Sequence, residues 1–247
     1  MLATFRARSP GRALGAILFY EAVWFFVWVL YTLVYHMRCS ARARAPYAGP
    51  LLIVANHQSY LDPPLVVMCI QRHVSFMARA GLFRNRLFGA WISGLNSIPL
   101  NENAPDTAAI RLAIELLGQG RAVLIFPEGS RSEEGAMHQF KRGVWVLLSR
   151  ARCPVVPVAV EGAFDAWPRS RALPRFWGQR LAAKVGDPIA PETLLTLGDR
   201  EGLALLAGRI DRMRLDLRRQ LRAASGGRYP APGPGDRPLD ARSEFGL

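Results

Sequence analysis

Cysteine is scarce in this sequence, and its spacing shows no metal-ligand set and no disulfide framework. Among 247 residues there are three cysteines, Cys39, Cys69 and Cys153, and no two of them form a Cys-x-x-Cys pair. An odd number at irregular spacing predicts neither a metal-ligand set nor a disulfide framework. We therefore expect a reducing, cytosolic setting for the main domain.

Two further absences exclude classes of function. The sequence contains no Gly-x-Ser-x-Gly motif, so a serine nucleophile on a strand-to-helix elbow is not predicted. It also contains no zinc finger, no aromatic RNA-recognition pattern and no glycine-rich loop, although it is basic. A basic charge without any of these motifs argues against nucleic acid as a partner.

Lysine is scarce as well, and arginine supplies nearly all of the positive charge. The formal net charge is +13, yet lysine occurs only at Lys141 and Lys184. A positive charge of this size favours anionic partners such as a phospholipid surface, a phosphorylated substrate or nucleic acid. Hydrophobic residues make up 50% of the chain, which favours contact with a membrane.

An apolar run near the N-terminus is the main candidate for that contact. Residues 13–35 carry a single charge, Glu21, and a helix of this length is able to cross a ~30 Å hydrocarbon core. Several tryptophans and tyrosines lie in the middle of the run, so a helix in the membrane interface is a second interpretation. A cleaved signal peptide is a third, which the length of the run and the arginines after it disfavour. We predict a membrane anchor over residues 1–44.

Segments with strand and helix character alternate after this anchor. The predicted strands are 51–55, 73–79, 95–100, 122–126, 154–160 and 180–186. The predicted helices are 63–71, 82–93, 106–118, 140–151 and 199–224. This order predicts an α/β domain over residues 45–224, with a mixed, largely parallel sheet covered by helices. The glycine- and proline-rich residues 225–247 predict a disordered tail.

The last predicted helix is amphipathic and strongly basic. Its apolar residues recur at steps of three and four, which defines one buried face. Its polar faces hold Arg209, Arg212, Arg214, Arg218, Arg219 and Arg222. A solvated face is one interpretation of these arginines, and contact with anionic lipid is the other.

Residues 56–62 place a histidine and a carboxylate directly after the predicted strand 51–55. α/β proteins usually carry their chemistry at such strand ends. His57 is able to take a proton near neutral pH, and Asp62 to fix its tautomer and stabilise its charged form. The alternative is structural, because Asp62 precedes a proline and would serve as a helix N-cap.

Residues 126–132 form a second polar group after the strand 122–126. A glycine permits an unusual backbone turn there, and hydroxyls, turn amides and a guanidinium group suit an oxyanion. A carboxylate in the same turn would orient the guanidinium or bind a hydroxyl of a polyol substrate. The alternative is a polar surface turn with a casual ion pair. The residues concerned are Glu128, Gly129, Ser130, Arg131 and Ser132.

The two polar groups together resemble motifs of the glycerolipid acyltransferases, in particular the lysophosphatidate (1-acylglycerol-3-phosphate) acyltransferases. That family has an Asn-His-x4-Asp block, a Phe-Pro-Glu-Gly-x-Arg-Ser block, a Phe-Lys-x-Gly element and a proline-containing apolar strand. The matching residues are Asn56, His57 and Asp62; Phe126 to Ser132; Phe140, Lys141 and Gly143; and 154–162. The resemblance covers about residues 45–190, with the motifs in the family's order.

The resemblance implies a membrane-bound O-acyltransferase without a bound cofactor or metal. His57 would be the general base that activates the hydroxyl of a lyso-lipid, most simply 1-acylglycerol-3-phosphate, and Asp62 would orient it. The hydroxyl would attack the thioester of acyl-CoA or acyl carrier protein directly, giving phosphatidate. Substrate-binding residues would be Arg79 and the turn 128–131. Since CoA and carrier proteins are cytosolic, the catalytic domain would face the cytosol from the inner (cytoplasmic) membrane.

One family block departs from the usual pattern. The family has a Gly-x-Ile-Pro-Val-Asp-Arg run after a basic residue, and this sequence has 96–102 with Arg79 upstream. Glu102 stands where the family has an arginine thought to hold the acceptor phosphate. A carboxylate there would repel a phosphate monoester. A lyso-lipid with a phosphodiester headgroup, or a lyso-aminolipid, is therefore the alternative acceptor.

Two other functions compete with acyl transfer. A lipid hydrolase would use the same base to activate water, although nothing in the sequence marks a water-activating metal or a nucleophile. A membrane-tethered basic module without catalytic activity would account for the charge but not for the two motifs.

Overall fold

A computed structural model describes residues 11–100 and 106–239, and its elements follow the predicted order. The helices are α1 Leu14–Tyr35, α2 Asp62–Cys69, α3 Arg86–Gly94, α4 Asp106–Gly118, α5 Gly143–Ala151, α6 Ala163–Ala166 and α7 Pro191–Ala224. The strands are β1 Arg38–Ser40, β2 Leu51–Ala55, β3 Val74–Arg79, β4 Ser97–Leu100, β5 Ala122–Ile125, β6 Val155–Glu161 and β7 Ala182–Val185. Short 3-10 turns occur at Arg42–Arg44, Ala80–Phe83 and Pro234–Asp236.

The strands form one seven-stranded sheet in the order β1-β7-β6-β2-β5-β3-β4. Within the described chain, β6 and β7 pair antiparallel and the other neighbours pair parallel. This confirms the predicted mixed, largely parallel α/β fold. The strands β2, β5 and β6 therefore end at the same edge of the sheet, where α/β proteins form ligand crevices.

The central strands are buried on both faces, which explains their continuous apolar sequence. Every residue of β2 is buried, and successive side chains point to opposite faces of the sheet. Leu51, Ile53 and Ala55 pack in one hydrophobic cluster with α1 and α2. Leu52 and Val54 pack in a second cluster with α4, α5 and α7. The sheet thus separates two helical layers.

The N-terminal helix α1 lies against the domain with one face and leaves an apolar face exposed. Trp24 Nε1 donates to the carbonyl of Val67 at 3.5 Å, and the N–H of Leu181 donates to the carbonyl of Tyr35 at 3.1 Å. The helix has 22 residues and a mean hydropathy of 1.9 over its most apolar window, enough to cross a membrane by length and composition. The exposed apolar residues of this helix are Leu14, Leu18, Phe19, Phe25, Phe26, Leu30 and Leu33.

The cysteine spacing predicted no disulfide framework, and this is corrected by one pair, because Cys39 and Cys69 form a disulfide with their Cα atoms 5.4 Å apart. Cys39 lies on β1, an edge strand that the sequence analysis did not predict, and Cys69 ends α2. The pairing depends on this tertiary contact across 30 residues of sequence, which no local spacing shows. The expectation of a reducing setting loses the support it drew from unpaired cysteines.

The predicted disorder after residue 224 does not hold for residues 225–239, which pack on α7. Arg214 donates to the carbonyls of Gly235 at 2.6 Å and Arg237 at 3.0 Å. Arg218 donates to the carbonyl of Ala231 at 2.6 Å. Backbone carbonyls are hydrogen-bond acceptors whatever the side chains are, so a glycine- and proline-rich composition does not show that such contacts are absent.

Two of the arginines placed on the polar faces of the last helix are buried by this segment. Arg214 and Arg218 are almost completely inaccessible to solvent. Arg214 forms an ion pair with Asp211 at 2.8 Å, and Arg218 forms one with Glu161 at 2.8 Å. Buried charges of this kind are held by paired partners, so neither interpretation of the basic face applies to these two residues.

Several helix boundaries differ from the predicted ones. The segment 82–93 is divided into the 3-10 turn Ala80–Phe83 and α3. The helix predicted at 140–151 begins only at Gly143. Helix α7 begins at Pro191 but is interrupted at Gly198, whose φ is 79°. The predicted start at residue 199 therefore matches the second part of this helix, because glycine readily adopts the conformation that breaks it.

Candidate active site

The carboxylate of Asp62 holds the imidazole of His57 and the turn around it. One oxygen, Oδ2, accepts hydrogen bonds from His57 Nδ1 at 2.8 Å and from the backbone N–H of Ser59 at 2.6 Å, and also from the N–H of Gln58. The side chain of Asp62 is fully buried, whereas 19% of the His57 side chain remains exposed. With Nδ1 donating to a carboxylate, Nε2 is the nitrogen that is able to take a proton.

The alternative interpretation of Asp62 as a helix N-cap is wrong. The N-cap of α2 is Leu61, and Asp62 is the first residue of the helix. Its carboxylate points back to the residues that precede the helix and not to the amides of its first turn. The two prolines that follow are tolerated at the start of a helix because that turn leaves its N–H groups unpaired.

The side chain of Asn56 fixes the turn between β2 and His57. Asn56 Nδ2 donates to the carbonyl of Val160 at 3.0 Å, and the N–H of Val160 donates to Asn56 Oδ1 at 2.8 Å. This pair imitates a strand-to-strand hydrogen-bond pair beyond the end of β2. Asn56 therefore sets where His57 leaves the sheet.

The loop after β5 packs directly against His57. The rings of His57 and Phe126 stack with their centroids 4.1 Å apart. The N–H of Ser132 donates to the carbonyl of His57 at 2.8 Å. The structure thus brings the two predicted polar groups together, as expected for turns at the carboxyl ends of neighbouring strands.

Glu128 connects the same two loops from the inside. It is buried, and its Oε1 accepts the N–H of His57 at 2.7 Å while Oε2 accepts the N–H of His138 at 2.8 Å. Burial raises the pKa of Glu128 to about 8, although these two N–H donors act in the opposite direction. Both oxygens already accept a backbone N–H, so the observed contacts brace the loops. Substrate binding by Glu128 stays a prediction.

The remaining residues of the second turn form its outer, positively charged side. Gly129 has a φ of 75°, a conformation that favours glycine. Ser130 is exposed, and the guanidinium of Arg131 lies 3.5 Å above the ring centroid of Tyr60. Such stacking holds a guanidinium in place while its edge keeps N–H donors.

Lys141 lies at this site, although from the sequence it was predicted only as part of the family motif. Its N–H donates to the carbonyl of Pro127 at 2.9 Å. Its side chain lies over the turn, since a Cβ added to Gly129 would come within 2.3 Å of Lys141 Cε. The Phe-Lys-x-Gly element and the scarcity of lysine were the available signals.

A buried polar chain behind the site was not predicted. Gln58 Nε2 donates to Glu161 Oε2 at 3.1 Å, and Arg218 donates to Glu161 Oε1 at 2.8 Å. Arg218 Nε in turn donates to Asp236 at 2.9 Å. The turn that carries His57 is therefore connected through β6 and α7 to the C-terminal segment. A glutamate at the end of a fully buried strand was the one signal in the sequence.

Two residues with predicted contributions to acceptor binding, Arg79 and Glu102, lie partly or wholly outside the described part of the chain. Arg79 is the last residue of β3, but its side chain lies outside the described part of the structure. Glu102 lies outside the described residues altogether. The predicted contributions of Arg79 and Glu102 to acceptor binding stay predictions.

A histidine with a buried carboxylate partner, beside a guanidinium at the carboxyl edge of a mostly parallel sheet, is typical of enzymes that activate a hydroxyl or water next to an anionic group. The family model described as Acyltransferase matches residues 36–161, a stretch that includes both loops. The chain belongs to this Acyltransferase family.

Individual relatives agree with that assignment. The chain is 25% identical over 177 residues to a Bacillus subtilis protein named 1-acyl-sn-glycerol-3-phosphate acyltransferase, covering 71% of this chain and 85% of the relative. It is 30% identical over 121 residues to a chloroplastic protein of the same activity name from Brassica napus, BAT2, covering 48% of this chain and 35% of the relative. The match therefore spans about a third of this longer relative.

A solved structure shares the fold. The crystal structure of the 1-acyl-sn-glycerophosphate acyltransferase PlsC from Thermotoga maritima superposes with a TM-score of 0.71 at 25% sequence identity. The match covers 80% of this chain and 79% of that one.

Proposed function

We propose that this protein is a membrane-bound O-acyltransferase that converts 1-acylglycerol-3-phosphate to phosphatidate, with acyl-CoA or acyl carrier protein as the donor. The observation that carries the proposal is the 2.8 Å contact between His57 Nδ1 and Asp62, which leaves Nε2 available as a base. Arg131 belongs to the loop that packs against His57. Relatives named for this activity support it.

His57 acts as the general base of the reaction. Nε2 removes the proton of the acceptor hydroxyl as the oxygen attacks the thioester carbonyl carbon. When the carbon–sulfur bond breaks, the thiolate leaves and takes the proton back from the imidazolium. Asp62 stabilises the imidazolium between these steps, and base catalysis of this kind contributes about 10²–10⁴ in rate.

The turn after β5 holds the anionic group of the acceptor. Arg131, fixed against Tyr60, donates to phosphate oxygens, and the exposed hydroxyl of Ser130 adds a neutral donor. Gly129 contributes the backbone conformation of the turn, since its own N–H donates to the carbonyl of Phe126 at 3.1 Å. Lys141 supplies a second positive charge above the same turn. Arg79 is assigned to this set because β3 ends at the same edge of the sheet.

Helix α1 holds the enzyme on the bilayer that contains its lipid substrate and product. Its exposed face is apolar while its other face packs on the domain, and such a helix binds a membrane by its apolar area. A cytosol-facing domain then meets acyl-CoA and acyl carrier protein, which are both acidic. The net charge of this chain, +13, attracts them.

A second candidate is acyl transfer to another lyso-lipid. Glu102 replaces a basic residue at the family position thought to bind the phosphate, and a carboxylate repels a phosphate monoester more than a phosphodiester or an aminolipid. The acyl-transfer step by His57 is the same for each acceptor.

Acylation by purified membranes across a panel of lyso-lipids tests both the chemistry and the acceptor. The panel holds lysophosphatidate, lysophosphodiesters and a lyso-aminolipid, and the proteins are wild type and His57→Ala. We expect His57→Ala to lose about 10²–10⁴ of the rate, with lysophosphatidate as the preferred acceptor of wild type. His36→Asn is the matched control, since His36 is exposed and has a φ of 45°, which asparagine tolerates.

Three outcomes contradict parts of the proposal. Unchanged acylation by His57→Ala refutes the catalytic base. Preference for a phosphodiester or an aminolipid supports the second candidate. Release of free fatty acid without acceptor, faster than transfer with acceptor, identifies a hydrolase.

A further inference from the structure

The loop between α6 and β7 exposes large apolar side chains that have no place in the core. Leu173 is 71% exposed, Phe176 52% and Trp177 75%. Four arginines, Arg169, Arg171, Arg175 and Arg180, lie in the stretch 166–180, which contains no acidic residue. We call residues 168–180 the arginine–tryptophan loop. Exposed apolar patches of this kind on a protein surface mark an interaction site.

The arginine–tryptophan loop is held by hydrogen bonds at several points, so its exposed side chains have a fixed support. Trp167 Nε1 donates to the carbonyl of Arg171 at 3.0 Å. The N–H of Arg175 donates to the carbonyl of Ala166 at 2.8 Å, and its guanidinium to the carbonyl of Asp165 at 3.1 Å. The loop returns to the core at the fully buried Leu181.

The loop also lies beside the candidate active site and the end of the apolar helix. Ser59 Oγ donates to the carbonyl of Trp167 at 2.8 Å, and the rings of Tyr60 and Trp167 are 5.2 Å apart. At its other end, Leu181 donates to the carbonyl of Tyr35, the last residue of α1. The C-terminal end of α1 and the end of the arginine–tryptophan loop therefore lie next to each other.

We propose that the arginine–tryptophan loop is a second membrane-binding element, which inserts Leu173, Phe176 and Trp177 into an anionic leaflet and places its arginines among the lipid phosphates. Tryptophan, phenylalanine and arginine suit this interface, because the aromatic side chains enter the acyl region while the arginines remain at the headgroups. The element sets the mouth of the site against the bilayer. This inference rests on the proposed function for its activity readout, whereas insertion is measured independently.

A bilayer fits the loop better than an acidic carrier protein does. The arginines suit either partner, but a carrier protein recognised by charge does not require three large apolar side chains exposed within five residues of sequence. Their insertion removes apolar area from water, and each large side chain so buried raises partitioning about tenfold or more. Each arginine near an anionic surface adds about fivefold.

The test compares full-length wild type with the triple variant Leu173→Ser, Phe176→Ser, Trp177→Ser in two acylation assays. One assay presents lyso-lipid in phosphatidylcholine vesicles containing phosphatidylglycerol. The other presents a short-chain lyso-lipid as a monomer in solution. We expect the triple variant to lose about tenfold or more in the vesicle assay and to keep its rate on the monomer. The double variant Leu195→Ser, Leu197→Ser, which changes exposed apolar residues of α7, is the control.

Insertion is measured directly by quenching of tryptophan fluorescence with brominated lipids. Wild type should lose more fluorescence than Trp177→Phe, and the difference reports Trp177. If quenching is equal in the two proteins, or if the triple variant loses as much activity on the monomer as on vesicles, the proposal is overturned. A loss confined to acyl carrier protein as donor would assign the surface to that protein and also overturn it.

The outcome separates this inference from the proposed function. If wild type fails to acylate lyso-lipid in both assays while Trp177 is still quenched, the proposed function fails and the membrane-binding element stands. If wild type acylates in both assays and Trp177 is not quenched, the proposed function stands and the membrane-binding element fails.

Discussion

Replacing Asp62 by asparagine changes one oxygen atom and tests the base proposed for this enzyme. The carboxylate is fully buried, and its Oδ2 faces His57 Nδ1 and the N–H groups of Gln58 and Ser59. Asparagine keeps the volume but is neutral, and its NH₂ group is a donor where the carboxylate has only acceptors.

The magnitude of the effect follows from these contacts. If the amide oxygen replaces Oδ2, the imidazolium that forms during the reaction loses a charged partner, and such a hydrogen bond contributes about 1.5–3 kcal/mol. That corresponds to a loss of about 10–150-fold in rate. If the NH₂ group faces His57 instead, Nδ1 becomes an acceptor and Nε2 carries the proton, which removes the base altogether and costs about 10⁴-fold.

The assay measures kcat and KM for the lyso-lipid with wild type, Asp62→Asn and Asp187→Asn. Asp187 is an exposed residue in an ion pair with Arg44, so its variant should match wild type. We expect Asp62→Asn to lower kcat by at least about tenfold with little change in KM, because the carboxylate has no access to substrate. If His57→Ala abolishes activity but the kcat of Asp62→Asn stays within about threefold of wild type, the reasoning that Asp62 stabilises the charged ring is refuted.

Three further predictions concern stability. Burial raises the pKa of Glu128 to about 8 from 4.5, so between these pH values the folded protein holds a proton that the unfolded chain releases. The free energy of unfolding therefore falls as pH rises from 4.5 to about 8, by up to about 1.4 kcal/mol per pH unit. Glu128→Gln should flatten this pH dependence of the free energy of unfolding, measured in urea. An unchanged pH dependence would argue against a raised pKa of Glu128. Glu161→Gln leaves Arg214 and Arg218 without their shared buried carboxylate and should lower the free energy of unfolding by about 3–5 kcal/mol; a change below about 1 kcal/mol contradicts this. Truncation after Gly227 removes carbonyls that both arginines bind and should lower Tm by several degrees, at about 2–4 °C per kcal/mol, whereas an unchanged thermal melt would mean that the segment adds no stability.

The sequence predicts those parts of the fold that local pattern determines. The helix α4 at Asp106–Gly118 and the strand β2 at Leu51–Ala55 have the predicted bounds. The helix has a clear helical periodicity, the strand is a short continuous apolar run, and each is bounded by proline, glycine or a polar turn. The edge strand β1 was not predicted, since three residues with the sequence Arg-Cys-Ser carry no strand pattern. It forms because β7 offers it a partner, and such pairing is a property of the folded sheet.

The same division applies to the candidate site. His57 and Asp62 approach each other because they lie in one turn after β2. This turn approaches the turn after β5 because the two strands are parallel neighbours that end at one edge. The bracing by Glu128 and the chain from Gln58 through Glu161 to Arg218 depend on side chains that meet only after the layers have packed. Side chains that bind distant backbone groups do so without a characteristic spacing of residues in the sequence, so local patterns do not reveal these contacts.

The buried polar chain has a consequence for synthesis of the protein. His57 lies early in the sequence, yet the support behind its turn includes Arg218 and Asp236. A ribosome adds about 5–20 residues per second and releases the chain from its N-terminus. The apolar helix α1 therefore emerges before Arg218 and Asp236, while the turn around His57 still lacks these supports. On the proposed function, α1 would bind the membrane before the turn around His57 is complete, and translation as far as Asp236 would complete that turn.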